Sequence, residues 1–319
     1  MRNGRIVALS GGIGGAKLAL GLYRVLPASS LTVIVNTGDD FVHLGLNICP
    51  DVDTTLYTLA GLANTELGWG RGAETWTFMH ALAELGGETW FRLGDGDLAL
   101  HVERSRRLAL GETLSDITAH VAQRFEIDAE IVPASDAPVR TRIATTEGDL
   151  PFQDYFVRLR CEPRVRALHY DGALAARPSP RAVAALSGVN LDAIIICPSN
   201  PYLSVDPMLA VAGFRDLIMN AAAPVVAVTP LVGGTALKGP TAKIMQELGM
   251  PLTPASVARH YEDLIDGFVV DERDAPLASG FPCPISVTDT VMTSLADRER
   301  VAQAVLDFAR SLRPSPAVA

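Results

Sequence analysis

The chain has 319 residues, of which 48% are hydrophobic and 20% charged, a composition that excludes a disordered protein. Its net charge of −9 argues against a nucleic-acid partner. No apolar run reaches the roughly 18 residues of a membrane span. The four cysteines lack CxxC spacing, so neither zinc nor a disulfide framework is expected. A cytoplasmic protein without a membrane partner is therefore predicted.

The first predicted elements are a strand and a helix joined by a glycine-rich turn. Residues 5–9 are typical of a buried strand, and apolar residues recur at helical spacing over 14–26. The turn between them reads Ser10-Gly-Gly-Ile-Gly-Gly-Ala-Lys17. Such a unit directs backbone N–H groups and the positive end of a helix dipole at a phosphate. The alternative is a turn that only lets helix and strand pack closely, because the spacing matches no complete nucleotide-binding fingerprint.

The second predicted strand, residues 31–36, is followed by an acidic cluster. Asp39 and Asp40 come directly after the strand, and Asp51 and Asp53 follow within fifteen positions of the cluster's start. Ligands of open parallel sheets collect at the carboxyl ends of the strands. Taken singly, each aspartate is more typical of a turn or a helix cap. Together they predict a Mg²⁺ site, because Mg²⁺ binds a few carboxylates together with water and substrate phosphates.

Strands and helices alternate along the rest of the chain, which predicts an α/β protein with a doubly wound, mostly parallel Rossmann-like sheet. The predicted helices are 53–63, 74–85, 113–125, 207–219, 241–248 and 290–312. The predicted strands are 129–132, 165–170, 193–197, 225–229, 268–270 and 285–287. Residues 1–319 are predicted to form a single domain, with a core of about 1–64 and 181–312. A smaller inserted α/β subdomain is expected over about 65–180.

Polar residues also follow the later predicted strands. Asn200 and Ser204 can offer hydrogen bonds to a base or phosphate, although Ser-Asn-Pro is also a common turn. Lys238 and Lys243 are candidate phosphate cations, with a solvated helix face as the alternative for Lys243. For the basic run Arg104, Arg106 and Arg107, a solvated helical face is the predicted role. No histidine has metal-ligand spacing; His43 and His101 lie near motifs but receive no functional role.

The ordered set of motifs resembles the 2-phospho-L-lactate transferase (CofD/FbiA-type) family over nearly the whole chain. The resemblance rests on the glycine turn, Asn36-Thr-Gly-Asp-Asp, Ile48-Cys-Pro-Asp-Val-Asp-Thr, Leu93-Gly-Asp-Gly-Asp-Leu-Ala, Pro198-Ser-Asn-Pro201, Asp271-Glu-Arg-Asp274 and Thr288-Asp-Thr-Val-Met-Thr-Ser294. Many relatives carry arginine where this chain has Gly96, which removes a potential cation.

The resemblance implies a step in the synthesis of coenzyme F-420. The family transfers a 2-phospholactyl, phosphoenolpyruvyl or 3-phosphoglyceryl group from its guanosine diphosphate adduct to the ribityl hydroxyl of Fo (7,8-didemethyl-8-hydroxy-5-deazariboflavin), and GMP leaves. By resemblance, Asp53 and Arg92 contact Fo, and Asp39 and Asp53 are the catalytic candidates with Mg²⁺. The expected nucleotide and phosphate contacts are Gly11, Gly12, Gly14, Gly15, Lys17, Asn200, Ser204 and Lys238.

Two other classes of protein remain as alternatives. The first is a non-catalytic, sugar-nucleotide-binding regulator of the same superfamily. The second is an NAD-dependent dehydrogenase, which is disfavoured because the second strand ends in a loop of acids and not in one ribose-binding carboxylate. A homodimer is also expected, from the apolar helices predicted over 207–219 and 290–312.

Overall fold

The computed structural model describes residues 4–64, 69–236, 239–277 and 279–313. Its centre is a seven-stranded sheet in which every pairing is parallel, with the order β14-β13-β10-β9-β1-β2-β5. These strands are β1 (Arg5–Ser10), β2 (Leu31–Val35), β5 (Glu130–Pro133), β9 (Leu191–Ile196), β10 (Val225–Val228), β13 (Gly267–Asp271) and β14 (Ile285–Thr288). The predicted doubly wound α/β fold is therefore confirmed.

Three small antiparallel sheets accompany the central one. Their strands are β3 (Phe41–His43) with β4 (Leu46–Ile48), β11 (Leu231–Val232) with β12 (Thr235–Ala236), and the three-stranded set β6 (Arg140–Thr145), β7 (Gly148–Pro151) and β8 (Val165–Asp171).

The helices lie on both faces of the central sheet and beside the small sheets. They are α1 (Gly12–Val25), α2 (Pro50–Leu59), α3 (Thr77–Glu84), α4 (Asp95–Ala109), α5 (Leu114–Arg124), α6 (Pro180–Leu186), α7 (Asp206–Leu209), α8 (Phe214–Met219), α9 (Thr241–Glu247), α10 (Pro254–Tyr261) and α11 (Leu295–Ser311).

Continuous apolar strands explain why the sheet is covered on both sides. Every residue of β2 and β10 is buried, and alternate residues of each strand belong to two separate hydrophobic clusters. In a pleated strand successive side chains point to opposite faces, so a strand that is apolar throughout needs a layer of helices on each face. One layer includes α1 and α11, whose apolar sides pack on each other.

The strand order places a topological switch point between β1 and β9. The chain runs from β1 outward through β2 to β5, and then returns to the other side of β1 for β9 and the strands that follow. The loops after β1 and β9 therefore diverge and leave a crevice at the carboxyl ends of the strands, where α/β proteins bind ligands.

Several predicted helices begin or end a few residues from the observed bounds, and two predicted segments differ in more than their ends. The predicted inserted region over 65–180 contains β5, an edge strand of the central sheet, so the separate small sheet there is limited to β6–β8. The helix predicted over 207–219 is divided into α7 and α8, because Gly213 has a left-handed backbone (φ 86°) that interrupts the helical hydrogen bonds. Among the described residues, no helix combines the length and apolar character needed to cross a membrane.

Candidate functional site

A cavity of about 870 Å³ lies at the switch point. The glycine turn forms one side, and the loop after β9 (Pro198, Ser199 and Asn200) lies next to it. Trp69, Trp90 and Phe91 form an aromatic wall elsewhere in the same cavity. Its size is near the upper end of the range for small-molecule sites, roughly 300–1,000 Å³. The cavity is therefore large enough to hold more than one ligand group.

The glycine turn is fixed by its own neighbours. The Gly11 N–H donates to Ser199 Oγ (3.1 Å), and the Gly12 N–H donates to Asp51 Oδ1 (2.8 Å). Gly12 has φ 63°, a left-handed conformation that favours glycine. A Cβ on Gly14 would lie 2.4 Å from the Pro198 carbonyl oxygen, so glycine is needed there for close packing. Thus the packing alternative accounts for part of the motif.

The same turn still faces the cavity at the start of a helix. Gly11, Gly12, Gly14 and Lys17 line the cavity, and α1 begins at Gly12 without a side-chain cap. The Lys17 ammonium donates to the Met292 carbonyl (2.9 Å), which holds this cation at the cavity wall. The positive end of a helix beside a lysine favours an anion, and the Asp51 carboxylate already lies there. Gly15, the remaining predicted contact, packs against Ser10 and Ser199.

One amide group connects Asp39 and Asp51, two of the four predicted metal ligands. Asn36 Nδ2 donates to Asp39 Oδ1 (3.0 Å) and to Asp51 Oδ2 (2.9 Å). Both aspartates are buried and both line the cavity. Burial raises the pKa of Asp39 well above its usual range, and the charge of Asp51 raises it further. Burial also raises the pKa of Asp51, to about 6.

This Asp39–Asp51 pair fits a divalent cation. Two carboxylates that are hard to ionise together become stable anions when Mg²⁺ lies between or beside them, because the ion's charge offsets burial and repulsion. Oxygen ligands and an open cavity side for water or phosphate are what Mg²⁺ prefers.

Asp40 points to a different place from its neighbour Asp39. It lines a separate pocket of about 210 Å³ together with Cys49, Asp136 and Arg140, and it is absent from the lining of the large cavity. Burial raises its pKa to about 7, although the positive charge of Arg140 opposes the shift. The structure thus separates Asp40 from the other three predicted ligands.

Asp53 is paired with a buried arginine. Arg104 Nη1 donates to Asp53 Oδ2 (3.0 Å), and Arg104 Nη2 donates to Asp53 Oδ1. The Arg104 side chain is only 2% exposed, so the prediction of a solvated face is wrong for this residue. Arg106, in contrast, is 57% exposed and pairs with Glu103 as a surface residue does. Helix α4 therefore buries one arginine of the run and exposes another.

Asp97 and His101 extend the arrangement around Asp53. His101 Nδ1 lies 3.3 Å from Arg104 Nη1, and His101 Nε2 lies 3.1 Å from Asp97 Oδ2. Tyr57 OH donates to Asp97 Oδ1 (2.7 Å). Burial raises the pKa of Asp97, but the close contact and charge of His101, the Tyr57 hydrogen bond and the charge of Arg104 outweigh it, and the net pKa is lowered. We call Asp53, Tyr57, Asp97, His101 and Arg104 the α4 network.

Sequence reasoning gave no role to Asp97, His101 or Arg104 in the site. A signal was present: the three polar residues lie four and then three positions apart, on one face of α4. A polar stripe that includes a histidine and an arginine is compatible with solvent as well as with a buried network. The side-chain contacts of α4 with Asp53 and Tyr57 of α2 distinguish these cases.

The aromatic wall carries the predicted Fo contact Arg92. The Arg92 guanidinium carbon lies 4.1 Å from the centroid of the Trp76 ring, a cation–π contact, and Arg92 lines the cavity. Phe156 of the short helical turn Asp154–Arg158 also lines the cavity, and its ring stacks on Phe152. This end of the cavity is suited to a flat aromatic ligand.

Gly96, where many relatives carry arginine, lies against another guanidinium. A Cβ at Gly96 would collide with Arg71 Nη1, and the N–H groups of Gly96 and Asp97 donate to Glu74 (2.6 and 2.8 Å). Arg71 therefore occupies the space next to Gly96, so a cation is present there although position 96 does not supply it.

The later predicted contacts divide into three cases. Asn200 and Ser204 line the cavity; Asn200 accepts from the Tyr202 and Leu203 N–H groups and donates to Thr241. Lys243 forms an ion pair with Glu247 (2.7 Å) and donates to the Pro163 carbonyl, so it is committed to structure. Lys238 lies outside the described residues.

A Rossmann-like α/β protein with a large ligand cavity at its topological switch point is the class that this fold and site define. Residues 6–279 match the family described as 2-phospho-L-lactate transferase CofD. The chain therefore belongs to the CofD transferase family, as its motifs predicted.

Curated relatives carry two different transferase names. A protein of Streptomyces griseus named phosphoenolpyruvate transferase is 40% identical, over 92% of this chain and 96% of that protein. A protein of Methanocaldococcus jannaschii named 2-phospho-L-lactate transferase is 37% identical, over 96% of this chain and 99% of that protein. A crystal structure of a Bacillus halodurans protein of the UPF0052 family has a TM-score of 0.61 at 16% identity, covering 96% of this chain and 99% of that chain. This last likeness concerns the fold alone.

Proposed function

We propose that this protein transfers a phospho-acid group from its guanosine diphosphate adduct to the ribityl hydroxyl of Fo, releasing GMP and forming the F-420-0 type precursor. The observation that carries the proposal is the composition of one cavity. The cavity is lined by the N-terminal end of α1, which favours an anion, by a buried pair of carboxylates suited to Mg²⁺, and by an aromatic wall with an arginine. A diphosphate, its metal and a flat acceptor ring require these three surroundings.

The guanosine diphosphate part is proposed to bind at the start of α1. Lys17 and the positive end of the α1 dipole provide positive potential for the diphosphate. Asn200 and Ser204 lie on the facing loop and are the proposed polar contacts of the nucleotide.

Asp39 and Asp51 are the proposed Mg²⁺ ligands. When bound, Mg²⁺ would neutralise charge on the diphosphate and stabilise the charge that develops on the leaving phosphate. Asn36 orients both carboxylates through its amide, so their oxygens are set before any ligand arrives.

Fo is proposed to bind against the aromatic wall with its ribityl chain directed at Asp53. Arg92, fixed by its contact with Trp76, is the proposed contact of the acceptor ring. Both Asp53 oxygens accept hydrogen bonds from Arg104, so this carboxylate is held in one orientation and its remaining lone pairs can orient the attacking hydroxyl.

The transfer step balances without a covalent enzyme intermediate. The ribityl hydroxyl oxygen bonds to the phosphorus next to the acid, and the bond from that phosphorus to the oxygen bridging to the guanylate phosphorus breaks. GMP leaves with the bonding electron pair. The hydroxyl proton leaves through Asp53 or through water. Such transfers depend mainly on positioning and charge stabilisation, which this cavity is built to supply.

The decisive experiment is a single-turnover assay with purified protein, Fo, Mg²⁺ and each of three guanosine diphosphate adducts, those of phospholactate, phosphoenolpyruvate and 3-phosphoglycerate. We expect GMP and the phospho-acid ester of Fo in equal amounts by mass spectrometry, and no product when EDTA replaces Mg²⁺. Because a phosphoenolpyruvate transferase and a 2-phospho-L-lactate transferase are similarly identical to this chain (40% and 37%), the assay must compare all three acids.

Two outcomes would contradict the proposal. Failure to bind Fo, combined with tight binding of UDP-N-acetylglucosamine in a calorimetric titration, would favour the non-catalytic regulator. Product formation that is unaffected by EDTA would support the transferase activity but contradict the proposed role of Mg²⁺.

The homodimer expected from the sequence remains a separate prediction, which light scattering would test against the 33.9 kDa monomer.

A further inference from the structure

The α4 network has a fixed direction of hydrogen bonding. A guanidinium can only donate, so His101 Nδ1 accepts from Arg104, and His101 Nε2 lies 3.1 Å from Asp97 Oδ2. Arg104 also donates to both Asp53 oxygens. Tyr57 donates to Asp97 from the other side. Arg104 is thus the donor to Asp53, and Tyr57 is a donor to Asp97.

What remains toward the cavity is a surface of hydrogen-bond acceptors. Asp53 and Asp97 both line the cavity, and each carboxylate oxygen has a second lone pair beyond the one that its protein donor uses. Phosphate and carboxylate groups are repelled by such a surface. Neutral hydroxyl groups, which donate, are attracted to it, and hydrogen bonds to a carboxylate are stronger than those to neutral acceptors.

A cation is the competing ligand for this place. Oxygen or nitrogen atoms of Asp53, Asp97 and His101 lie within 4.8 Å of one another, which is a spacing that could hold a metal ion. However, Arg104 Nη1 lies 3.0 Å from Asp53 Oδ2 and 3.3 Å from His101 Nδ1. An ion between these atoms would meet a guanidinium that is already bound to two of its three ligands, so the charge repulsion disfavours it.

We infer that Asp97 is a substrate-binding residue, which with Asp53 receives neighbouring hydroxyls of a polyol chain attached to an aromatic ring. His101 and Tyr57 are positioning residues, since they act by orienting Asp97. The inference rests on the proposed function, because the polyol would be the ribityl chain of Fo. It adds a second carboxylate to the acceptor site and gives the α4 network a role in selecting ring compounds that carry such a chain.

The test is a double-mutant-type cycle that compares the loss of the Asp97 carboxylate with the loss of the ribityl chain of the ligand. Fluorescence titrations measure the Kd of Fo, and of the same deazaflavin ring carrying a methyl group in place of the ribityl chain, for wild type and Asp97→Asn. We expect wild type to prefer Fo. Asp97→Asn should weaken Fo about 10- to 100-fold, since it replaces a charge-assisted hydrogen bond, and should leave the methyl analogue unchanged. Glu103→Gln, an exposed carboxylate on the same helix, is the matched control and should behave as wild type.

A second pair of variants tests the positioning role. His101→Gln retains a side-chain N–H that can reach Asp97, whereas His101→Leu has none. We expect Gln to preserve most of the preference for Fo and Leu to reproduce the loss seen in Asp97→Asn. A general structural defect would weaken both probes in both variants.

Each other outcome decides against the inference in a recognisable way. Equal weakening of both probes in Asp97→Asn, or no weakening of either, would remove Asp97 from the polyol contact while leaving the proposed function in place. An effect of Asp97→Asn that is seen only with Mg²⁺ would assign these residues to a cation. If wild type binds neither probe, the proposed function fails, and the inference fails with it.

Discussion

The Asp39–Asp51 pair and the α4 network line one cavity and both contain carboxylates, yet the surroundings of these carboxylates differ. In the pair, burial raises both pKa values, the charge of Asp51 raises that of Asp39 further, and one amide group donates hydrogen bonds to both side chains. In the network, Arg104 binds Asp53, while the contact and charge of His101, the Tyr57 hydrogen bond and the charge of Arg104 lower the pKa of Asp97.

The difference shows how neighbouring groups decide what a carboxylate can bind. A carboxylate whose charge is opposed by its surroundings gains most from a divalent ion. One whose charge is already balanced by arginine gains little from a second cation and is free to accept hydrogen bonds from neutral groups. The four aspartates that the sequence presents as one cluster are therefore distributed over two kinds of site and a separate pocket.

The largest expected effect tests the balance of charge in the network. Arg104→Met should reduce the free energy of unfolding by about 3–5 kcal/mol, because it leaves the Asp53 carboxylate buried without its partner. Adding Asp53→Asn to that variant should restore part of the loss. Urea denaturation measures both, and Arg106→Met, at an exposed ion pair of the same helix, should cause no measurable change. Equal losses in the two arginine variants would contradict the comparison.

Asp39→Asn tests the other side of the comparison. Turnover should fall on the order of 100-fold or more, since the proposed metal loses a direct ligand. The metal-free protein should not lose stability at pH 7, because the substitution removes a buried charge that repels Asp51. Asp40→Asn is the natural control, since Asp40 faces the smaller pocket, and it should keep the wild-type dependence on Mg²⁺. If Asp40→Asn lowered turnover and Asp39→Asn did not, Asp40 and not Asp39 would be the metal ligand.

The raised pKa values predict how pH affects the metal-free protein. Asp51 has a pKa of about 6 in the folded state against 3.8 in its ordinary state, so the folded protein keeps a proton that the unfolded chain releases between these values. Stability from this group is present below about pH 4 and is lost as pH rises through about 6, by up to roughly 3 kcal/mol. Thermal unfolding in EDTA should show the decline. Mg²⁺ should raise Tm strongly at pH 7 and little at pH 4.5; equal increments would contradict the prediction.

Tyr57→Phe should give the smallest effect and act on the network alone. It removes one hydrogen bond to Asp97, worth about 1 kcal/mol, so KM for Fo should rise about fivefold. Dependence on Mg²⁺ should not change. Tyr23→Phe removes a hydroxyl that bonds to the Asp128 N–H on the surface and should leave KM as in wild type. If Tyr57→Phe changed the Mg²⁺ dependence, the Asp39–Asp51 pair and the α4 network would act as one site, which would contradict the comparison.

Much of the fold was predictable because its signals are local. The inner strands β1, β2 and β10 are continuous apolar runs. Helix α1 follows a glycine turn, and its apolar residues recur at helical spacing. The break between α7 and α8 was missed, since a single glycine inside an apolar helix pattern does not by itself indicate a left-handed residue. The contribution of β5 to the central sheet depends on a pairing with β2 across almost a hundred positions.

The candidate site was predictable only in part. Residues after β1 and β2 were found because strand ends of a parallel sheet converge, which places the glycine turn and Asp39 in one cavity. Arg104 was assigned to solvent, since helical periodicity gives the face on which a residue lies but not what covers that face. The turning of Asp40 away from Asp39 reflects the change of side-chain direction between neighbouring residues.

The close packing of the glycine turn has a consequence for the entropy of ligand binding. Glycine loses more conformational freedom than any other residue when it becomes ordered, and a loose glycine loop loses it each time a ligand binds. Here the contacts of Gly11 with Ser199, Gly12 with Asp51 and Gly14 with Pro198 order the loop during folding. The proposed diphosphate would therefore bind a turn that is already ordered in the folded chain, and a larger part of its contact energy would remain as affinity.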